Sequence, residues 1–218
     1  KFGDSVNLIR LDSNSGRSIA RNKGVDFSDS EFIHFMDSDC IPEDIFLIDA
    51  LIQSIVIGND FIFGKVIASG NLFWDKFKNN GSTGRLAEFN KGNKWVFTTS
   101  NVCIRRSLFN KTGGFDLRFN RHGFEDRDLF IRLLHSGTRC SYIDSATVIH
   151  CDKLSLKSVS KKMYESGRYS AREFEGTHPA EYRSTPYSRI DCHLRPALSY
   201  LDFFAWPIAC RLVATEPY

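Results

Sequence analysis

Apolar positions along the first two-thirds of the chain alternate between short compact runs and helical spacing, the pattern of an α/β domain. Val6–Leu11 reads as a strand, and Arg17–Val25 as a short helix with Ser15 as its N-cap. Glu31–Met36 is a brief strand that stops abruptly at Asp37-Ser38-Asp39. Pro42 would then open a helix at its first position, with Glu43 and Asp44 suited to the positive end. Ile45, Ile48, Ile52 and Ile55 recur at three- and four-residue steps, so that face is expected against the sheet. Asp60–Ala68 is another strand. Ser69–Asn93 is rich in Gly, Asn and Lys without clear periodicity and reads as a long loop, a common form for a lid or binding loop.

Further on, Trp95–Ile104 is strand-like and Arg106–Lys111 a short helix closed by Gly113-Gly114. Glu125–Ser136 is a helix with Leu129, Phe130, Leu133 and Leu134 on one face and Gly137 as its cap. Arg139–Ile143 and Thr147–Ile149 read as short strands, and a basic helix runs from Leu154 to about Phe174 before the pattern becomes irregular. Leu198–Val213 is apolar and aromatic, but Asp202, Pro207 and Arg211 interrupt it. It falls short of the roughly 20 clean apolar residues of a membrane span, and a docked or interfacial helix pair is expected.

Composition narrows the class without naming a function. The 218 residues are 42% hydrophobic and 25% charged, ordinary for one globular domain with an appendage. A net charge of +3 is too small to indicate nucleic acid as a partner. The 19 phenylalanines are read as core filling. Six cysteines, Cys40, Cys103, Cys140, Cys151, Cys192 and Cys210, form no CxxC pair and no zinc spacing, so buried reduced thiols in a reducing, cytoplasmic setting are expected. Because Lys1 leads almost directly into a strand, the sequence is expected to start inside a domain.

Three clusters could carry chemistry. Asp37 and Asp39, two apart after a buried strand, can share a hard divalent cation such as Mg2+ or Mn2+, or can be a solvated turn. Glu125 and Asp126 open a helix, where they can supply a general base or merely complement the helix N-terminus. His150 ends an apolar strand and can complete a metal shell or simply be a satisfied strand-end residue.

Taken in order, the residues resemble the family 2 glycosyltransferases of the GT-A fold and their galactosyltransferase-like relatives. The resemblance is carried by Asn14-Ser15-Gly16-Arg17-Ser18-Ile19-Ala20-Arg21-Asn22-Lys23-Gly24 and by Phe35-Met36-Asp37-Ser38-Asp39-Cys40-Ile41-Pro42. It continues in Ser100-Asn101-Val102-Cys103-Ile104-Arg105-Arg106, in Gly113-Gly114-Phe115-Asp116, and in Gly123-Phe124-Glu125-Asp126-Arg127-Asp128-Leu129 with Arg132, Leu133 and Gly137. A haloacid dehalogenase phosphatase also uses two aspartates after a strand, but it leaves Arg21-Asn22 and Gly113-Gly114 without a role.

The resemblance implies a mixed sheet flanked by helices, incomplete at its N-terminus, over residues 1–152, with a helical extension over 153–218. It implies an inverting, metal-dependent transferase that takes a nucleotide sugar, UDP-linked by the family's habit, to a saccharide or lipid-linked acceptor. Asp39, Asp37 and His150 would hold Mn2+ or Mg2+; Asp126 would be the base. Glu125, Arg21, Asp37, Ser38, Asn101, Gly113 and Gly114 would bind substrate. Trp95, His122 and the loop 69–93 would wall the acceptor site. The basic helix with Lys157, Lys161, Lys162, Arg168 and Arg172 is a solvated face or a peripheral contact with the inner face of a membrane. The alternative is a transferase remnant that binds a sugar or a partner without turnover.

Overall fold

The computed structural model describes residues 6–70 and 72–190. Five strands, β1 (Phe32–Met36), β2 (Cys40–Pro42), β3 (Phe61–Ile67), β4 (Asn101–Arg105) and β5 (Cys140–His150), form one mixed sheet in the order β1-β4-β3-β5-β2. β4 runs antiparallel to β1 and β3, β3 runs parallel to β5, and β2 pairs antiparallel with β5. Hence β1, β3 and β5 point the same way. Met36 and His150 leave the sheet at the end where Asn101 enters it, the end at which open α/β sheets bind ligands.

Side-chain alternation divides the sheet into two faces. Phe61, Phe63, Val102 and Ile104 join Phe109, Phe115, Leu129, Phe130 and Leu133 in the main core. Ile62, Cys103 and Val148 face the other way, onto Leu47 and Leu51. The first face is covered by α1 (Arg17–Asp26), α4 (Arg106–Lys111) and α5 (Glu125–His135), the second by α2 (Leu47–Val56). Many of the phenylalanines fill this core as expected: Phe63 alone meets Phe97 at 4.5 Å and Phe130 at 4.9 Å between ring centroids. Past β5, α6 (Leu156–Glu165) runs through a π-helical turn, Ser166–Ser170, into α7 (Ala171–Thr177), followed by α8 (Pro179–Ser184) and α9 (Pro186–Ile190). Phe174 and Tyr182 of this extension pack with Phe124 and Ile131 as a third cluster.

Several sequence expectations need correction. Residues 6–11 form no strand: Val6 and Leu8 are exposed, and the segment finds no ladder partner among the described residues. Gly16, not Ser15, caps α1; at φ 85° it takes a turn that suits glycine, while the Ser15 hydroxyl bonds the Ser13 carbonyl. Pro42 lies in β2, where a missing N–H is tolerated on an edge strand, and the helix starts only at Leu47. Its inner face is Leu47, Leu51 and Ser54, one residue out of phase with the isoleucines: Ile45, Ile48 and Ile52 are exposed, and only Ile55 touches the core.

The expected loop 69–93 is largely an 18-residue helix, α3 (Phe73–Asn90), which buries none of its side chains fully. A helix that rides on the surface, touching the core through Leu86 and Phe89, leaves little apolar period to read. Trp95–Ile104 enters the ladder only at Asn101. The two short strands after α5 are one strand, β5, whose pairing with β3 shifts between Gly64 and Lys65. The supposedly irregular region beyond Phe174 is helical as far as Ile190, whereas the tail 198–213, with Cys192 and Cys210, lies outside the described residues. Cys40 and Cys103 are buried free thiols, but Cys151 is exposed where the chain leaves β5.

Candidate active site

The sheet end supplies one wall. β1 and β2 lie at opposite edges of the sheet, and Asp37-Ser38-Asp39 carries the chain between them. Pairing of Cys40 with His150 then sets Asp39 beside the end of β5. Asp39 Oδ1 stands 3.4 Å from His150 Nε2, and His150 Nδ1 bonds Asp152 Oδ1 at 2.6 Å. Lys78 of α3 donates to the same Asp152 oxygen at 2.7 Å. Burial would raise the Asp152 pKa, but the hydrogen bonds from Lys78 and His150 outweigh it and leave the pKa lowered. An ionised Asp152 holds the Nδ1 proton and aims Nε2 at Asp39, the usual support for a metal-binding imidazole. Oxygen and nitrogen donors of this kind fit Mn2+ or Mg2+. Cys40 Sγ lies within the same 4.8 Å group, but burial first, and then Asp37 and Asp39, push its thiol to about 12.

Asp37 is occupied differently. Arg21 donates to its Oδ1 at 2.8 Å and the Ser100 hydroxyl to its Oδ2 at 2.7 Å. These bonds overcome burial and lower its pKa, so it is an ionised anchor for Arg21. Arg21 comes from α1, whose next residue clamps the helix: Asn22 both donates to the Phe115 carbonyl and accepts from the Phe115 N–H, each at 2.9 Å. This clamp explains Gly114, whose φ is +67° and whose added Cβ would come within 2.9 Å of Asn22 Oδ1 and of the Phe109 ring.

The N-terminus of α5 makes the opposing wall. Phe124, with φ 70°, is the one non-glycine residue in the left-handed region among those described. It sits between Gly123, packed against Ser166 of the π-helical turn, and the two acids. Glu125 is buried; Arg17 meets its Oε1 at 3.0 Å and Arg21 at 3.4 Å, while its Oε2 has no partner among the described residues. Burial and then the Asp126 charge raise the Glu125 pKa against the opposing arginines. Asp126 faces the cavity, and among the described residues its carboxylate accepts only the backbone N–H of Arg127. Arg17 also donates to His122 Nδ1 at 2.8 Å; burial first, and then Arg17 and Lys162, lower the His122 pKa to about 4, so its imidazole is neutral at pH 7.

The two walls enclose a cavity of about 690 Å3 that brings together Arg21, Asp37, Ser38, Asp39, Glu125, Asp126 and His150. Asn101, Gly113 and Gly114 are not among its lining. Asn101 is buried and ties strands together, donating to the Lys65 and Ala146 carbonyls and accepting from His34 Nε2. Asp128, third acid of the α5 motif, is also structural: it is fully buried between Arg132 at 2.6 Å and His178 at 2.8 Å. Sequence reading passed over Asp152, although a carboxylate two residues after His150 was visible. It also passed over Lys78 and Arg127, to which no local pattern pointed.

Comparison with known proteins identifies the family and the fold. The model of the family described as glycosyl transferase family 2 matches residues 1–113, more than half of the chain. The chain belongs to that family. A second model, described as glycosyltransferase like family 2, matches residues 77–174. The structure is similar to a mannosyltransferase from Pyrobaculum calidifontis solved in complex with GDP-Man and Mn2+, with a TM-score of 0.56 at 15% identity, covering 97% of this chain and 59% of that one. The chain therefore spans 59% of the length of that mannosyltransferase. A mutant of a Drosophila β-galactosyltransferase 7, solved with manganese, UDP-Gal and xylobiose, gives a TM-score of 0.42 at 17% identity over 63% of this chain and 52% of that one. No curated protein matches the chain. The mixed sheet flanked by helices is the GT-A fold expected from the sequence.

Proposed function

We propose that the chain carries the catalytic part of a metal-dependent, inverting glycosyltransferase acting on a nucleotide sugar. The observation that carries this reading is a single cavity with the Asp39–His150–Asp152 constellation on one wall and the uncommitted carboxylate of Asp126 on the other. Asp39 and His150 would hold the cation, Mn2+ or Mg2+, which when bound offsets charge building on the departing diphosphate. Arg21, fixed by Asp37, and the nearby Ser38 would position the nucleotide. Asp126 would accept the proton of the acceptor hydroxyl, and attack from that wall inverts the anomeric centre. The orphaned Oε2 of Glu125 would accept a hydroxyl of the donor sugar or of the acceptor.

In this reading residues 1–152 form the catalytic body and 153–218 the extension, whose π-helical turn braces the His122–Gly123 corner through Ser166 and Ser170. UDP is the expected nucleotide by family resemblance, with GDP the first rival because the Pyrobaculum enzyme was solved with GDP-Man. The acceptor is a saccharide or lipid-linked saccharide, as in polysaccharide synthesis. No helix among the described residues is long and apolar enough to cross a membrane. A peripheral contact with a lipid-borne acceptor would run through the basic helix α6.

The direct test measures nucleotide release from a panel of UDP- and GDP-hexoses and N-acetylhexosamines with mixed saccharide acceptors and Mn2+. Acceptor-dependent release that falls by about 100-fold or more in Asp126→Asn supports the assignment. An unchanged rate in that variant removes Asp126 from the mechanism.

A further inference from the structure

Three arginines, Arg17, Arg21 and Arg127, line the cavity, and Arg85 of α3, outside the lining, lies within electrostatic reach of Arg127. Arg17 and Arg21 are neutralised by Glu125 and Asp37. Arg127 and Arg85 form no ion pair among the described residues. Arg127 lines the cavity one residue beyond Asp126, and its guanidinium meets no carboxylate among the described residues. It is held instead over the rings of Trp95, at 5.7 Å, and Phe124, at 5.3 Å. Arg85, half-buried on α3, likewise has no hydrogen bond or ion pair among the described residues. It lies close enough to Arg127 for the two charges to repel: burial first, and then Arg127, push its pKa down, while Asp126 acts the other way.

Two half-buried like charges that make no ion pair, offset only by the Asp126 charge nearby, form an unfavourable arrangement in the free protein. A compact oxyanion in the cavity against Arg127 would relieve it, and a guanidinium fork matches a carboxylate in shape as well as charge. Position decides whose anion that is. The donor diphosphate belongs with the cation at Asp39 and His150, whereas Arg127 adjoins the carboxylate that must reach the acceptor hydroxyl. We propose that Arg127, backed by Arg85, binds an anionic substituent of the acceptor, a carboxylate of the uronic-acid type. The inference rests on the transferase reading of the cavity and adds the chemical class of its acceptor.

The experiment titrates three probes, methyl β-D-glucuronide, its uncharged methyl ester and methyl β-D-glucoside, into the chain with UDP and Mn2+, followed by NMR. The glucuronide is expected to bind about 10-fold or more tightly than the other two. That preference should vanish in Arg127→Gln, shrink in Arg85→Gln and largely return in Arg127→Lys, with thermal unfolding confirming that each variant is folded. Equal binding of the three probes to the unmodified chain overturns the proposal without any variant. So does a preference that persists in Arg127→Gln, or a loss of UDP affinity there with the preference intact, which would give the pair to the donor diphosphate. If UDP fails to bind but the Arg127-dependent preference remains, the anion site stands and the transferase reading falls.

Discussion

The two walls of the cavity are built on opposite principles. On the sheet side, the groups around Asp39 are held by neighbours: Asp37 by Arg21 and Ser100, His150 by Asp152, and Asp152 by Lys78, while among the described residues Asp39 itself faces only His150 Nε2. On the α5 side the groups are left open: among the described residues Glu125 Oε2 has no partner and Asp126 has only a backbone N–H, and Phe124 holds a left-handed conformation that costs free energy. Pre-paired groups suit a wall that holds a cation and a nucleotide in fixed geometry. Uncommitted groups suit a wall that must respond to an incoming acceptor. The open wall is supported from behind, by Asp128 with Arg132 and His178, and by the extension packed on Phe124.

Substitutions separate the walls. The largest effect is expected from Asp126→Asn, already described, which should suppress transfer while leaving UDP binding nearly unchanged, measured by calorimetry. Asp128→Ala should do the reverse of a catalytic change. It removes the fully buried carboxylate shared by His178 and Arg132, leaving Arg132 only the Thr112 and Gly114 carbonyls, and should lower stability by about 3 kcal/mol in urea unfolding. If Asp128→Ala loses rate without losing stability, the support behind the open wall has been misread. Gly114→Ala should cost about 2 kcal/mol through its positive φ and the crowding of Phe109 and Asn22.

On the closed wall, Asp152→Asn keeps the shape but removes the charge that orients His150. Mn2+ affinity should drop roughly 10- to 100-fold, read by competition with a chelating dye. The smallest effect concerns pH. His122 has a lowered pKa, so the unfolded chain binds more protons than the folded one between its ordinary 6.5 and about 4. The stability this group contributes is present above pH 6.5 and is lost as pH falls through that window. His122→Gln should flatten that part of a plot of melting temperature against pH, and an unaltered slope would place the titration elsewhere.

Legibility in the sequence followed the same division. β1, β3, β4, β5 and α5 carry apolar runs or helical apolar spacing because each buries a face, and Asp37 and His150 stand at strand ends that such runs mark, whereas the three-residue β2 reads in sequence as the start of a helix. α3 was unreadable because it buries no side chain fully, and α2 was placed one residue out of phase because its outer face is as apolar as its inner one. Arg127 and Arg85 were missed for a different reason. Their significance lies in the partners they lack, which only the assembled structure reveals. Asn101 and Gly114 belonged to the right motifs yet serve the strands and the α1 clamp rather than the cavity surface, and Gly113 serves only the positive-φ turn after α4.

The most direct test of the account is a calorimetric titration of UDP, with GDP alongside, into the purified chain with Mn2+ and again with chelator. The account requires nucleotide binding that depends on the metal and that Asp39→Ala and His150→Ala each abolish, while Asp126→Asn retains it. Metal-independent binding, or binding that survives both substitutions in folded protein, would contradict the assignment of Asp39 and His150 as the cation site.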